Sequence, residues 1–136
     1  MGKATSLLSK AYMVEKEIEL PTASGRVAGP TVGAGTLVIA AGVELIDAVD
    51  DVTSYTVAVA DDTTTFMAAT SVDAATAGTF VYGTQTQAVV AASDTIDAVA
   101  AISGSPAAST ARVWAIVVDV NEATRGAAEV DRDTLA

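Results

Sequence analysis

The stretch "TARVWAIVVDV", residues 110 to 120, alternates with a period of two and is largely apolar on both sides. Ala111, Val113, Ala115 and Val117 share one face, and Arg112, Trp114, Ile116 and Val118 share the other. It is too short to cross a membrane and too rich in β-branched residues for a comfortable helix. Such a segment fits a central strand buried on both sides for most of its length. The role it predicts is architectural.

The same period recurs along the chain. Between Tyr12 and Leu20, Tyr12, Val14, Lys16, Ile18 and Leu20 alternate with Met13, Glu15, Glu17 and Glu19, which predicts a half-buried strand with an acidic outer face. A helix is the rival there, since Glu and Lys suit helices. "TSYTVAVA", residues 53 to 60, places Thr53, Tyr55, Val57 and Val59 on one side, and "DDTTT" follows as a turn. "SDTIDAVAAIS", residues 93 to 103, places Ile96, Ala98, Ala100 and Ile102 together. "TLVIAAGVELIDAV" reads either as a strand pair or as one strand bent at Gly42. "TFVYG" and "QAVVAA" are short apolar runs, and residues 66 to 77 permit a short helix or turns. "PTASGRVAGPTVGAG", residues 21 to 35, holds two prolines and four glycines and predicts a long surface loop.

Several short strands, turn signals between them and no convincing long amphipathic helix predict an all-β fold. The expected architecture is an antiparallel β-sandwich, jelly-roll-like, over residues 12–120. An N-terminal arm (1–11) and a C-terminal tail (121–136) flank it. Tyr55, Val57, Ile96, Val113, Trp114 and Ile116 are the expected core. Trp114 could instead be a platform for a sugar or a partner, but its neighbours Ile116 and Val118 on that face favour the core.

Composition removes much chemistry. Cysteine and histidine are absent, so disulfides, thiolate metal sites and histidine-containing triads are excluded. Hydrophobic residues reach 51%, mostly small ones (29 Ala, 19 Val), and only 4% are aromatic. That favours a thin core and is too apolar for a disordered chain. A net charge of −10 repels phosphate backbones and anionic lipid, so neither nucleic acid nor a membrane is an expected partner. No apolar run reaches the ~18 residues of a membrane span. "MGKATS" matches the loose myristoylation pattern at Gly2 and Ser6, but it reads as an ordinary start with no cleaved leader.

Carboxylates are the one chemical resource: Asp50 with Asp51, Asp61 with Asp62, and Asp94 with Asp97. A glycosidase would need two of them across a cleft, usually with aromatic platforms, and calcium would need converging oxygens. No calcium-loop spacing, phosphate loop or nucleophile elbow occurs. The expectation is aspartates that close turns, no catalytic, cofactor or metal residues, and no enzymatic activity.

"SYTVAVADDTTTFMAATSVDAATAGT" and "ASDTIDAVAAISGSPAASTARVWAIVVDV" resemble small virion structural proteins of tailed bacteriophages, including head decoration (cement) proteins. The resemblance covers Ser93 to Val120, and residues 53 to 80 more loosely, and rests on strand and turn residues. It implies a protein on the outer surface of the virion capsid, made in the host cytoplasm. Its implied role is to bind the major capsid protein and stabilise the shell, as a dimer or trimer and without a cofactor. A tail, head-completion or host-surface-binding virion protein is the alternative. Leu7, Leu8 and Tyr12 are candidate anchors of the arm, and Arg26, Val27 and Pro30 are candidate contacts to the capsid or a sister subunit.

Overall fold

The structure, a computed structural model, describes residues 10–20, 22–47, 52–72, 77–104 and 109–120. Leu7, Leu8, Asp50, Asp51 and the segment 121–136 lie outside them. The chain forms β1 (Tyr12–Leu20), β2 (Gly25–Val27), β3 (Thr31–Val32), β4 (Thr36–Leu45), β5 (Val52–Ala60) and β6 (Thr65–Ser71). It continues with β7 (Phe80–Val81), β8 (Ala88–Val89), β9 (Asp94–Thr95), β10 (Asp97–Gly104) and β11 (Ser109–Asp119). No helix occurs among the described residues.

One sheet has the order β1-β11-β4-β7, with β8 also on β4. The second has the order β2-β10-β5-β6, and β3 pairs with β9. Every pairing is antiparallel. Let β7 and β8 count as one interrupted strand, and set β3 and β9 aside. The first, eighth, third and sixth of the remaining strands then form one sheet, and the second, seventh, fourth and fifth form the other. That is the strand order of a jelly-roll sandwich.

The inner faces follow the alternation. Tyr55, Val57 and Val59 of β5 and Ala98 and Ala100 of β10, with Ile96 just before it, pack in one buried cluster with Val38, Ala41, Val43 and Leu45 of β4. Ala111, Val113, Ala115 and Val117 of β11 belong to the same cluster, together with Phe66, Met67 and Val90. β11 is central, hydrogen-bonded to β1 along Tyr12↔Val117 through Leu20↔Ser109 and to β4 along its other edge. In β1 the alternation holds at Ile18 and Leu20, which are buried, while Lys16 and Tyr12 stay exposed.

Four expectations are corrected. Residues 21 to 35 are not simply a surface loop. They include β2 and β3, and Gly29, Pro30 and Val32 are buried. Gly29 is required there, because a Cβ would sit 2.0 Å from the Ile96 carbonyl oxygen. Residues 66 to 71 belong to a strand, with Phe66 and Met67 both buried. In β4 the chain is one strand, and its irregularity is not at Gly42. Ile116 pairs with Ala40 and Val117 with Val38, leaving Ile39 as an extra residue. Trp114 is buried as expected, on the outer face of its sheet, whereas Ile116 on that face, also expected in the core, is only half-buried.

Candidate functional site

The outer face of the β1-β11-β4-β7 sheet differs from every other surface described. Strand parity and register place Met13 beside Ile116, Trp114 beside Gly42, Val118 beside Leu37, and Val89 beside Leu37 on the next strand. Phe80 pairs with Glu44, and Tyr82 lies two residues on. Five large hydrophobic side chains are exposed among the described residues: Tyr12, Met13, Phe80, Tyr82 and Val89. All but Tyr12 lie on this face. The outer face of the opposite sheet carries Thr56 and Ala58 from β5 and Val99, Ala101 and Ser103 from β10, which are small, polar or partly covered. Scattered surface hydrophobics are ordinary, but here they are concentrated on one face, which makes it the candidate site.

Trp114 anchors the face. A Cβ at Gly42 would lie 2.6 Å from its Cζ2 and 2.8 Å from its Cε2, so the indole fits only because residue 42 has no side chain. The Phe80 ring stacks on it at 5.2 Å between centroids, and the Tyr82 ring at 5.9 Å and nearly parallel. The result is a three-ring cluster in which Trp114 is 5% exposed while Phe80 and Tyr82 are 58% and 54% exposed. The indole N–H is buried with no hydrogen-bond partner among the described residues. An unpaired buried donor costs about 1–3 kcal/mol.

A groove of about 210 Å³ opens beside the rings, with Met13, Ile116, Phe80 and Trp114 among its lining. Its polar end is held by Arg112, which donates to Glu44 Oε1 at 2.6 Å and lies 3.8 Å from Glu15 Oε2. These exposed pairs add little stability, but they set the guanidinium across the end of the groove. Glu17 and Glu19 continue the same side of β1, opposite Arg112 and Thr110. The rim therefore carries four carboxylates against one guanidinium.

The interrupted edge of β4 is completed by a side chain. The Gln85 amide accepts from the Ala41 N–H at 2.8 Å and donates to the Ala41 carbonyl at 3.0 Å, filling the gap between β7 and β8. The Gln85 segment also pairs with β6, so it ties the two sheets together beneath the aromatic cluster.

Among the described residues, the aspartates that could have carried chemistry are engaged by nearby N–H groups, a hydroxyl or a guanidinium. Asp61 accepts from the N–H groups of Thr63 and Thr64 at 2.8 and 2.6 Å, and Asp94 accepts from Asp62 N–H at 3.1 Å. Asp97, buried, accepts from the Thr95 hydroxyl and from Arg26 at 3.2 Å. Among the described residues no three acidic groups converge as metal ligands would.

Leu7 and Leu8 lie outside the described residues, and the other contact candidates read from sequence do not come together. Tyr12 is half-exposed at the start of β1, on the sheet that carries the aromatic face. Arg26 and Val27 sit on β2 at the edge of the other sheet, where Arg26 holds Asp97 and Asp62 and Val27 packs against the core. Pro30 is buried and its carbonyl accepts from Ile96 N–H at 2.9 Å. Among the expected core residues, Tyr55, Val57, Ile96 and Val113 are in the buried cluster. Sequence reading missed Met13, Phe80, Tyr82 and Gly42. The usable signal was the spacing of Phe80 and Tyr82, which puts both rings on one side of a strand.

No protein-family model and no curated protein matches the chain. Among solved structures, a chain of the "Cyanophage Pam1 capsid asymmetric unit" is similar at a TM-score of 0.61 and 15% identity. The match covers 82% of this chain and 86% of that one, so the two are of similar length and share the sandwich over most of it. At that identity the likeness is one of fold.

Proposed function

We propose that the protein is a non-enzymatic structural component of a phage virion that decorates the outside of the capsid and stabilises the shell by binding the major capsid protein. The observation that carries this reading is the likeness, over most of both chains, to a chain of a phage capsid asymmetric unit. The apolar face seen among the described residues supports it, since a scaffold of this kind acts through surface rather than through reacting groups. An outer position fits the charge: a chain at −10 is repelled by packaged DNA and meets no such penalty outside. Each bound copy stabilises the assembled lattice by mass action, worth about 2.7 kcal/mol when its concentration is 100 times its dissociation constant. The proposed partners are the major capsid protein and further copies of this chain, as a dimer or trimer. No cofactor, nucleic acid or membrane takes part.

A second reading, a tail, head-completion or host-surface-binding virion protein, is favoured by one observation: Phe80 and Tyr82 are exposed rings of the sort a host glycan stacks on. Quantitative mass spectrometry of purified virions separates the two. Decoration predicts hundreds of copies in a simple ratio to the major capsid protein. A handful of copies would move the protein to the tail or neck, and none would overturn both readings.

A further inference from the structure

We propose that the Phe80–Tyr82–Trp114 face is the surface that meets the shell, and that its occupant is a basic, apolar patch of the major capsid protein rather than a second copy of this chain. This inference rests on the shell-binding reading above and names the face and the chemistry of the contact.

The face has the makeup of a binding hot spot. Aromatic anchors sit at its centre, a groove opens beside them, and charged residues form one rim. The rings are pre-set, because the indole is seated on Gly42 and Phe80 and Tyr82 are stacked on the indole. A partner that covers them therefore has few rotamers left to freeze. Among the described residues the opposite sheet offers nothing comparable.

Charge decides the occupant. The rim carries Glu15, Glu17, Glu19 and Glu44 against Arg112 alone, and Arg112 is already engaged by Glu15 and Glu44. Two such faces brought together would oppose carboxylates to carboxylates in chains that each carry −10. Like-charge juxtaposition suppresses that pairing, whereas lysines or arginines beside an apolar ridge would satisfy both parts of the face. Any homo-oligomer then forms through another surface and leaves this face to the shell.

The test uses the full chain and heads assembled from the major capsid protein of the same phage, with binding read by co-sedimentation at low and high salt. Three variants are compared with the parent after circular dichroism and a cooperative melt show that each folds. F80S/Y82S removes the rings, E15Q/E17Q/E19Q removes rim charge without touching the rings, and A101D/S103D alters the opposite sheet. The expected result is binding weakened about tenfold or more by F80S/Y82S. E15Q/E17Q/E19Q weakens binding and flattens its salt dependence, and A101D/S103D binds as the parent does. The charge variant keeps the test decisive if the ring variant does not fold. Parent-like binding by a folded F80S/Y82S, or parent-like binding and salt dependence in E15Q/E17Q/E19Q, would overturn the inference and leave the proposed function standing. A parent chain that binds no heads would overturn the function itself. Light scattering of the free proteins provides the last arm: loss of a homo-oligomer in F80S/Y82S would show that a second copy covers the face, and the inference would fall.

Discussion

The indole of Trp114 occupies the space that a side chain at Gly42 would fill. β4 and β11 can therefore present a broad aromatic surface where two neighbouring strands would ordinarily present two ordinary side chains. Gly42→Ala is expected to displace the ring, because its Cβ would fall 2.6 Å from Cζ2 and 2.7 Å from the Val81 carbonyl oxygen. The cost is about 1–3 kcal/mol, as for other overpacked sites. Trp114 is the sole tryptophan, so its fluorescence reports the change directly. A red-shifted emission with a lowered Tm is expected, and unchanged emission would contradict the packing described.

Gln85 serves as a substitute strand for Ala41. Gln85→Leu keeps the bulk and leaves both Ala41 backbone groups unpaired. Loss of stability by about 1–3 kcal/mol in denaturant unfolding is expected. Faster hydrogen exchange at the Ala41 amide is the local sign, and unchanged exchange there would show that the bond is not made.

Tyr55 gives the fold a defined alkaline limit. Its hydroxyl is buried without a partner among the described residues, and burial pushes its pKa up from 10.0 to about 12. The folded state then keeps the proton after the unfolded chain has released it, so stability is full below pH 10 and falls from pH 10 to 12. The contribution lost is about 2–3 kcal/mol. Tyr55→Phe is expected to be neutral or stabilising at pH 7, since it removes an unpaired hydroxyl. The difference between parent and variant should grow across that alkaline window, and parallel pH profiles would contradict the assignment.

Arg26 matters to stability through Asp97 rather than through Asp62. Both pairs are seen, at 3.2 and 3.4 Å, but the Asp97 side chain is buried and that of Asp62 is exposed. Removing one partner of a fully buried pair costs about 3–5 kcal/mol. Arg26 is partly solvated, so Arg26→Ala is expected to cost less, about 1–3 kcal/mol. Asp62→Asn should change little. Equal effects in thermal melts would refute this ranking.

The long strands were legible because they alternate against a buried neighbour sheet. β5, β10 and β11 show it in Tyr55 to Val59, Ala98 to Ile102 and Ala111 to Val117. β2 and β3 were hidden because they are two or three residues long and set among Gly25, Gly29, Pro30 and Gly33, whose composition signals a loop. What makes that segment ordered is non-local: Gly29 against the Ile96 carbonyl and Pro30 accepting from Ile96 N–H. β6 was obscured because Phe66 and Met67 are adjacent and both buried, so the period of two fails there. For Trp114 the parity and the burial were legible, but what covers the ring was not. Alternation tells which side chains share a face, but not whether a second sheet or two aromatic rings cover it. The aromatic face needed Phe80 and Tyr82 brought beside Trp114 across β4, a pairing that no local pattern encodes.

The most direct measurement of the central claim is an electron cryo-microscopy map of intact virions at a resolution that traces strands. A β-sandwich density is expected on the outside of the shell, repeated with the capsid lattice, with the Phe80, Tyr82 and Trp114 face against the major capsid protein. A shell with no such density, or the sandwich found only at the tail or neck, would contradict it.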